Sequence, residues 1–586
     1  MSVKKHVFKS ILIAILMPVL FEPALAQKSP KKKSPKTSKS GFTPKVLSTE
    51  DRVYFEACFI EGMRYYLIGQ TKLAQNFFEK AYVIDETNGG VNYQLSKVNS
   101  ALSNNARALV TAQAAIKSDP KNIEYIIQLA SVYEAQGEFE NAIKTYQKII
   151  SDFPGNNEYY YQIGAAQIQL NKLDDAIKTY DKIGTIYGAS FELTRQKQQI
   201  YVKQNKIDLA IKEGQKLIDS DPSNLQYRVD QAEFYYFINR LPDALSLVNG
   251  VLKQDPDQIS AHLLLVDIYK STNDNEKVFA EYKYLLAQQN VSVQDKQKIM
   301  QDVMKAATTN EKKVQLLELS TIFVKANPSS NVALTNQGDA LFLNGKKAES
   351  RKFYIASAKK DGNNYNLWLQ IVILDFEFKE YDSLALHGTE AVDYFPNQSM
   401  LWYYRALGYY NLKKYPNAIE SLEEAKNLSS KDMQFRMQCL TLLGDAYNET
   451  KKYSESDAAF DEVLRYDKNN DYVLNNYSYY LSLRKDKLEL AKSMAERVVN
   501  RNPAEPNYID TYAWVLYQMK DYQGAKKQLE IALPNTKSGT ILEHYGDVLY
   551  QLGDKVNAVE YWKKAKAAGD ASEFINKKVA EGKLYE

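Results

Sequence analysis

Apolar and polar positions alternate along most of this chain with the period of an amphipathic helix. From Ile123, the residues Ile126, Leu129, Ala130 and Tyr133 fall at i, i+3, i+4 and i+7, one stripe of a helix whose other faces are polar. Gly137 interrupts that stripe, and a second one follows in Phe139, Ala142, Tyr146 and Ile149. Pro154 then cannot extend the second helix, because it lacks the amide hydrogen and crowds the preceding turn. The spacing therefore predicts helix, turn, helix and stop within about one third of a hundred residues.

The same text recurs. Ala74, Ala108, Ala142, Ala176, Ala210 and Ala244 stand 34 residues apart, and prolines return at 120, 154, 222, 256, 328, 396 and 503 among Asp, Asn and Ser residues suited to cap the next helix. A second series of small residues, Ala130, Gly164, Ala232, Gly338, Ala406, Gly444, Ala513 and Gly546, holds one place in the first helix of its unit. Two helices that nearly touch need small residues at the contact. A leucine at any of these places is expected to overpack it and cost roughly 1–3 kcal/mol.

With these residues the unit resembles the tetratricopeptide repeat, a 34-residue helix–turn–helix. The best copies are 123–154, 399–430, 437–468 and 539–570; the last runs from Tyr545 and Gly546 through Gly553, Ala558 and Trp562 to Ala565. The resemblance covers nearly all of the chain after residue 50. It implies an all-α solenoid, a right-handed superhelix of about fifteen such units, in which the first helix of every unit lines the concave side. The organisation expected is a block of repeats at 51–290, a degenerate helical repeat at 291–328, a second block at 329–570 and a polar capping helix at 571–586. The segment 291–328 is either a bend between the blocks or a diverged repeat. The unit at 191 also departs from the pattern, with Gln198 and Gly214 where a small and a bulky residue are preferred.

The first fifty residues read differently. Lys4, Lys5 and Lys9 precede an apolar run from Ile11 to Phe21, and Ala24-Leu25-Ala26 has the small-x-small pattern of a cleavage site. Residues 1–26 are thus expected to be a secretory signal peptide, with a run too short to span a bilayer. Residues 27–50 form a lysine-, serine- and proline-rich tether that cannot bury enough apolar surface to fold. Its bland role is a solvated spacer; the alternative is weak contact with an anionic membrane surface. In a Gram-negative host this predicts a periplasmic or envelope-associated protein. The 586-residue chain carries net charge +3, of which residues 1–26 supply +2 and residues 27–50 supply +6, leaving −5 on the repeats. That sign argues against nucleic acid as the partner.

Candidate chemistry is sparse. His6, His262, His387 and His544 are scattered, Cys58 and Cys439 lie far apart, and no phosphate loop, nucleophile elbow or metal-ligand spacing is found. No enzyme activity, metal or cofactor is expected. Binding remains. What the resemblance implies for it is a groove lined by residues just past the small-residue contact, and the position four residues on is aromatic in Tyr66, Tyr236, Phe342, Phe376, Tyr410, Tyr517 and Tyr550. Tyr161, Tyr403 and Trp514 lie on adjacent places of the same face. Such a row suits an extended peptide or a helix of a protein partner, since tyrosine offers apolar area and a polar tip at low entropic cost; the plain alternative is packing against the neighbouring unit. Repeats that clamp a chaperone's carboxylate tail resemble one another in an inner-face lysine, and this chain has Phe59, Tyr93, Ile127 and Tyr161 there. The expected function is a non-enzymatic scaffold of the cell envelope. The alternatives are a membrane-associated assembly factor for outer-membrane or secretion machinery, and an accessory subunit of a cell-wall or glycan enzyme.

Overall fold

Sequential helix pairing organises the molecule. The computed structural model describes residues 45–586, so the expected signal peptide and most of the lysine-rich tether lie outside the described residues. Among the described residues there are thirty-one α-helices and no strand, arranged as fifteen successive pairs from Thr49–Leu67 with Thr71–Ile84 to Gly539–Gln551 with Lys555–Ala568, then the single helix Ile575–Glu581. This is an all-α solenoid. The chain divides into two compact units, one ending at Arg240 and one running from Leu241 to Glu586.

The small-residue series explains the pairing. All six of the evenly spaced alanines are fully buried. A side chain added at Gly164 would come within 2.6 Å of the Tyr180 ring, and one at Gly338, Gly444 or Gly546 would meet Tyr354, Phe460 or Trp562 at 2.4–2.6 Å. Each of these first helices thus presents a glycine to a large side chain sixteen residues later, on the second helix of its own pair. Where serine replaces the second-helix alanine, its hydroxyl turns inward: Ser350 Oγ donates to the Gly338 carbonyl at 2.8 Å and Ser456 Oγ to that of Gly444 at 2.7 Å. The buried hydroxyls are satisfied and the helices stay close.

A second regularity lies in the turns. Gly69, Ser103, Gly137, Asn171, Asn205, Asn239 and Asn273 all have positive φ, 34 residues apart, at the end of the first helix of their pair. A left-handed residue there reverses the chain and ends the helix. The pair Val293–Ala306 and Asn310–Ala326 is joined without one: Ala307 keeps a negative φ, and the Thr309 side chain caps the second helix by accepting from the Lys312 amide. Positive φ returns at Gly345, Lys379, Lys413 and Lys451.

In the first compact unit, the departure at residue 191 is an exchange of sizes. Gly214 leaves a gap on the second helix that Gln198 fills from the first, with Nε2 donating to Gln231 Oε1 at 3.0 Å and to the Ala210 carbonyl at 3.3 Å. Beside it, buried Lys197 binds Asp181 at 2.6 Å and also Glu213, so its charge is compensated from both neighbouring second helices. In the second unit, a continuous apolar cluster runs from Ala406 to Ile575. Cys58 and Cys439 are free, buried thiols, and burial pushes that of Cys439 up to about 12. Among the described residues no helix is long and apolar enough to cross a membrane.

Candidate functional site

First helices of neighbouring pairs touch one another directly, as Tyr365–Glu377 does Ser399–Asn411 and Asp471–Arg484 does Pro506–Gln518. The aromatic candidates all lie on first helices. In the first unit Tyr66 is half-buried with the Lys97 ammonium 5.0 Å from its ring centre, Tyr236 is half-buried, and Tyr161 is 38% exposed. In the second, Phe376 is 40% exposed and meets Tyr404 edge-on at 6.1 Å; Tyr404 in turn meets Tyr403, linking two candidates from successive units. Phe342 is half-buried beside Lys347, and Tyr550 is half-buried against Trp562 at 5.6 Å.

Trp514 and Tyr517 are drawn into one stack. The Trp514 ring lies between Tyr517 at 4.7 Å and His544 at 4.0 Å, and His544 Nδ1 pairs with Asp510 at 2.8 Å. Burial is the largest single influence and opposes a charge on His544, but the Asp510, Asp547 and Glu543 carboxylates together raise the imidazole's pKa. Tyr517 is covered by its own chain: it is 4% exposed, its hydroxyl donates to the Glu586 side chain, and Gln551 Nε2 donates to that hydroxyl at 3.2 Å. The other described histidines also face carboxylates, His262 with Glu281 at 2.6 Å and His387 with Asp375 at 2.7 Å. Among the described residues no cluster of three or more His, Cys, Asp or Glu has a metal-holding arrangement.

Tyr410 leads to residues that sequence reasoning missed. Its hydroxyl end neighbours Asp445, a carboxylate only 1% exposed on the helix Met433–Glu449. Tyr472 donates to Asp445 Oδ2 at 2.8 Å, Tyr480 to Oδ1 at 3.0 Å and the Asn476 amide to Oδ1 at 3.5 Å. All three donors are neutral and come from the next first helix, Asp471–Arg484. Burial raises the carboxyl's pKa, the three hydrogen bonds hold it back, and Glu449 adds a charge of the same sign. Tyr472 itself is 51% exposed.

Asp445 directly follows Gly444, and the same Gly-Asp pair occurs at 338–339 and 546–547. Tyr354 donates to Asp339 at 2.8 Å and Trp562 Nε1 to Asp547 at 2.8 Å, each from fifteen residues further on. The matching residue for Asp445 is Phe460, which has no donor. Asp547 also receives Lys578, 2.7 Å from Oδ2 and 2.9 Å from Glu543 Oε1, with the ammonium 3% exposed. Burial raises the Asp547 carboxyl to about 6 even against that cation. The recurring Gly-Asp pair was the available signal for this site.

A model of the anaphase-promoting complex, cyclosome, subunit 3 matches residues 101–183, and one of the tetratricopeptide repeat matches residues 438–470. No curated protein matches the chain. Among solved structures it is similar to a tetratricopeptide repeat protein from Parabacteroides merdae, with 15% identity over 44% of this chain and 99% of that one and a TM-score of 0.36. It is also similar to Naa15/Naa10 bound to HypK-THB, with 12% identity over 91% and 90% and a TM-score of 0.41, and to yeast Tom70, with 12% identity over 91% and 95% and a TM-score of 0.29. The repeat model lies on the helix pair Met433–Glu449 and Tyr453–Tyr466, one of the successive pairs that bring small residues to their closest contact, and this supports a protein built of tetratricopeptide repeats.

Proposed function

We propose that the chain is a non-enzymatic, exported scaffold of the cell envelope that holds a peptide or helix of a protein partner against a face formed by its first helices. Proteins built of these repeats are generally protein-interaction adaptors rather than catalysts, which supports the class. The observation that carries the finer reading is the aromatic row, in which Tyr161 and Phe376 keep more than a third of their surface in contact with solvent. Rigid aromatic side chains of this kind give large contact area with little ordering cost. The envelope location rests on the signal-peptide pattern of residues 1–26.

The test is site-specific photocrosslinking of the full chain in intact cells. A benzophenone amino acid at Tyr161 or Phe376 is expected to capture one partner segment, identified by mass spectrometry, several-fold more efficiently than the same group at Tyr466, which is 54% exposed at the end of a second helix. Equal yields from all three positions overturn the face assignment. Mature protein beginning at Gln27 is expected for the export reading, and protein retaining residues 1–26 contradicts it.

A further inference from the structure

The pair of sites at Asp445 and Asp547 carries an inference about what the proposed face recognises. Both carboxylates occupy the same place in their unit, and in both the residue 31 positions later reaches them from the next helix but one in the chain. At Asp547 that residue is Lys578, whose ammonium binds both carboxylate oxygens. At Asp445 it is Asn476, whose amide is long at 3.5 Å and carries no charge. The helix Gly539–Gln551 therefore displays the site filled, and Met433–Glu449, three pairs earlier, displays it lined but without its cation.

The lining has the chemistry of a cation receptor. Tyr410, Tyr472 and Tyr480 surround the carboxylate closely enough for their hydroxyls to influence one another, and Tyr415 meets Tyr410 edge-on at 5.5 Å. Tyrosine faces attract ammonium and guanidinium groups, and more strongly where water is excluded. Glu449 adds a second negative charge to the same surroundings. Tyr472, Tyr480 and Asn476, which hydrogen-bond to Asp445, are all neutral, and Glu449 bears on it with a charge of the same sign. The exposed Tyr472 covers Oδ2, so rotation of one surface side chain opens the carboxylate to an incoming group.

We infer that Asp445, with Tyr410, Tyr472 and Tyr480, forms a receptor for a lysine or arginine side chain of the protein partner, which takes at Asp445 the place Lys578 takes at Asp547. This deepens the scaffold reading and rests on it. The cation replaces the Tyr472 hydroxyl at Oδ2 while its alkyl stem lies along the tyrosine rings.

The experiment uses the full chain and Nα-acetyl-lysine methylamide, with its Nε-acetylated, uncharged counterpart as control, in saturation-transfer NMR. Transfer to the ε-methylene is expected from the native protein and at least fivefold less for the uncharged ligand. Asn476→Lys rebuilds the Lys578 arrangement, so it is expected to fold with an unchanged or higher Tm and to abolish the charge-dependent transfer, as is Asp445→Asn. Equal transfer to both ligands, or undiminished transfer with Asn476→Lys, overturns the receptor. Photocrosslinking at Phe376 does not depend on this charge, so a failed lysine titration with successful crosslinking removes the receptor and leaves the scaffold standing.

Discussion

Asp445 and Asp547 begin from the same backbone position and end in different electrostatic states. Each follows the glycine that lets its helix pair close, and each is thereby carried into a nearly water-free place where an ionised carboxylate is costly. Asp547 is compensated twice, by the indole of Trp562 on the second helix of its pair and by Lys578 on the helix beyond. Asp445 has a phenyl ring on its second helix and three neutral donors from the next pair. Packing geometry is conserved between the two places while charge compensation is not. The repeat thus fixes where a carboxylate is buried, and the side chains of the following helix decide whether it is a closed structural pair or an open receptor.

The largest expected effect comes from emptying the filled site. Lys578→Met leaves Glu543 and Asp547 buried without their paired ammonium, and removing one partner of a buried pair costs about 3–5 kcal/mol. Because repeats couple mainly to their neighbours, hydrogen exchange should accelerate in Gly539–Ala568 while Met433–Tyr466 keeps its protection. Uniform acceleration across both regions would show that the site is not a local device.

Packing offers the control, since it is the part the two sites share. Gly444→Ala and Gly546→Ala each push a methyl group toward a buried ring, and both should lower stability by about 1–3 kcal/mol in denaturant titrations. A large disparity between them would mean that the sites differ in backbone as well as charge.

Filling the open site should stabilise it. Asn476→Lys is expected to add about 1–2 kcal/mol at neutral pH, in the range of a hydrogen bond to a charged group. The pH dependence fixes its origin. Asp445 now has a folded-state pKa above its unfolded value, so its contribution favours the fold at acid pH and is lost as pH rises through the folded value. An added ammonium lowers that value and so reduces this loss, as a result of which the gain in Tm should be larger at pH 7 than at pH 4. Equal gains at both pH values would rule out a charge effect.

The smallest expected change is Phe460→Tyr, which gives Asp445 the second-helix hydroxyl that Asp339 already receives from Tyr354. It should add about 0.5–1.5 kcal/mol, the net worth of one hydrogen bond, with no change at Asp547. A loss of stability would show that Phe460, fully buried against Tyr477 and Tyr480, has no room for the oxygen.

Much of the architecture was legible in the chain because it is written locally. Helical stripes, prolines and the two small-residue series act within a single 34-residue unit, and Ala142 or Gly444 means the same thing wherever it recurs. The exchange of Gln198 for Gly214 shows where that ends. Read as a departure, it proves to be a swap of large and small between facing helices, intelligible only once Gln231 from the next pair is seen to complete the contact.

The candidate site divides along the same line. The aromatic row could be read from spacing, but the sequence gives no sign that Tyr517 is covered by Glu586, 69 residues away, or that Trp514 lies stacked between Tyr517 and His544. Repetition by itself determined the helix pairs and their closest contacts. Only the tertiary structure decided which buried charges are compensated, because a carboxylate's partner comes from the next helix pair and the match is set by how two helices pack, not by neighbours in the chain.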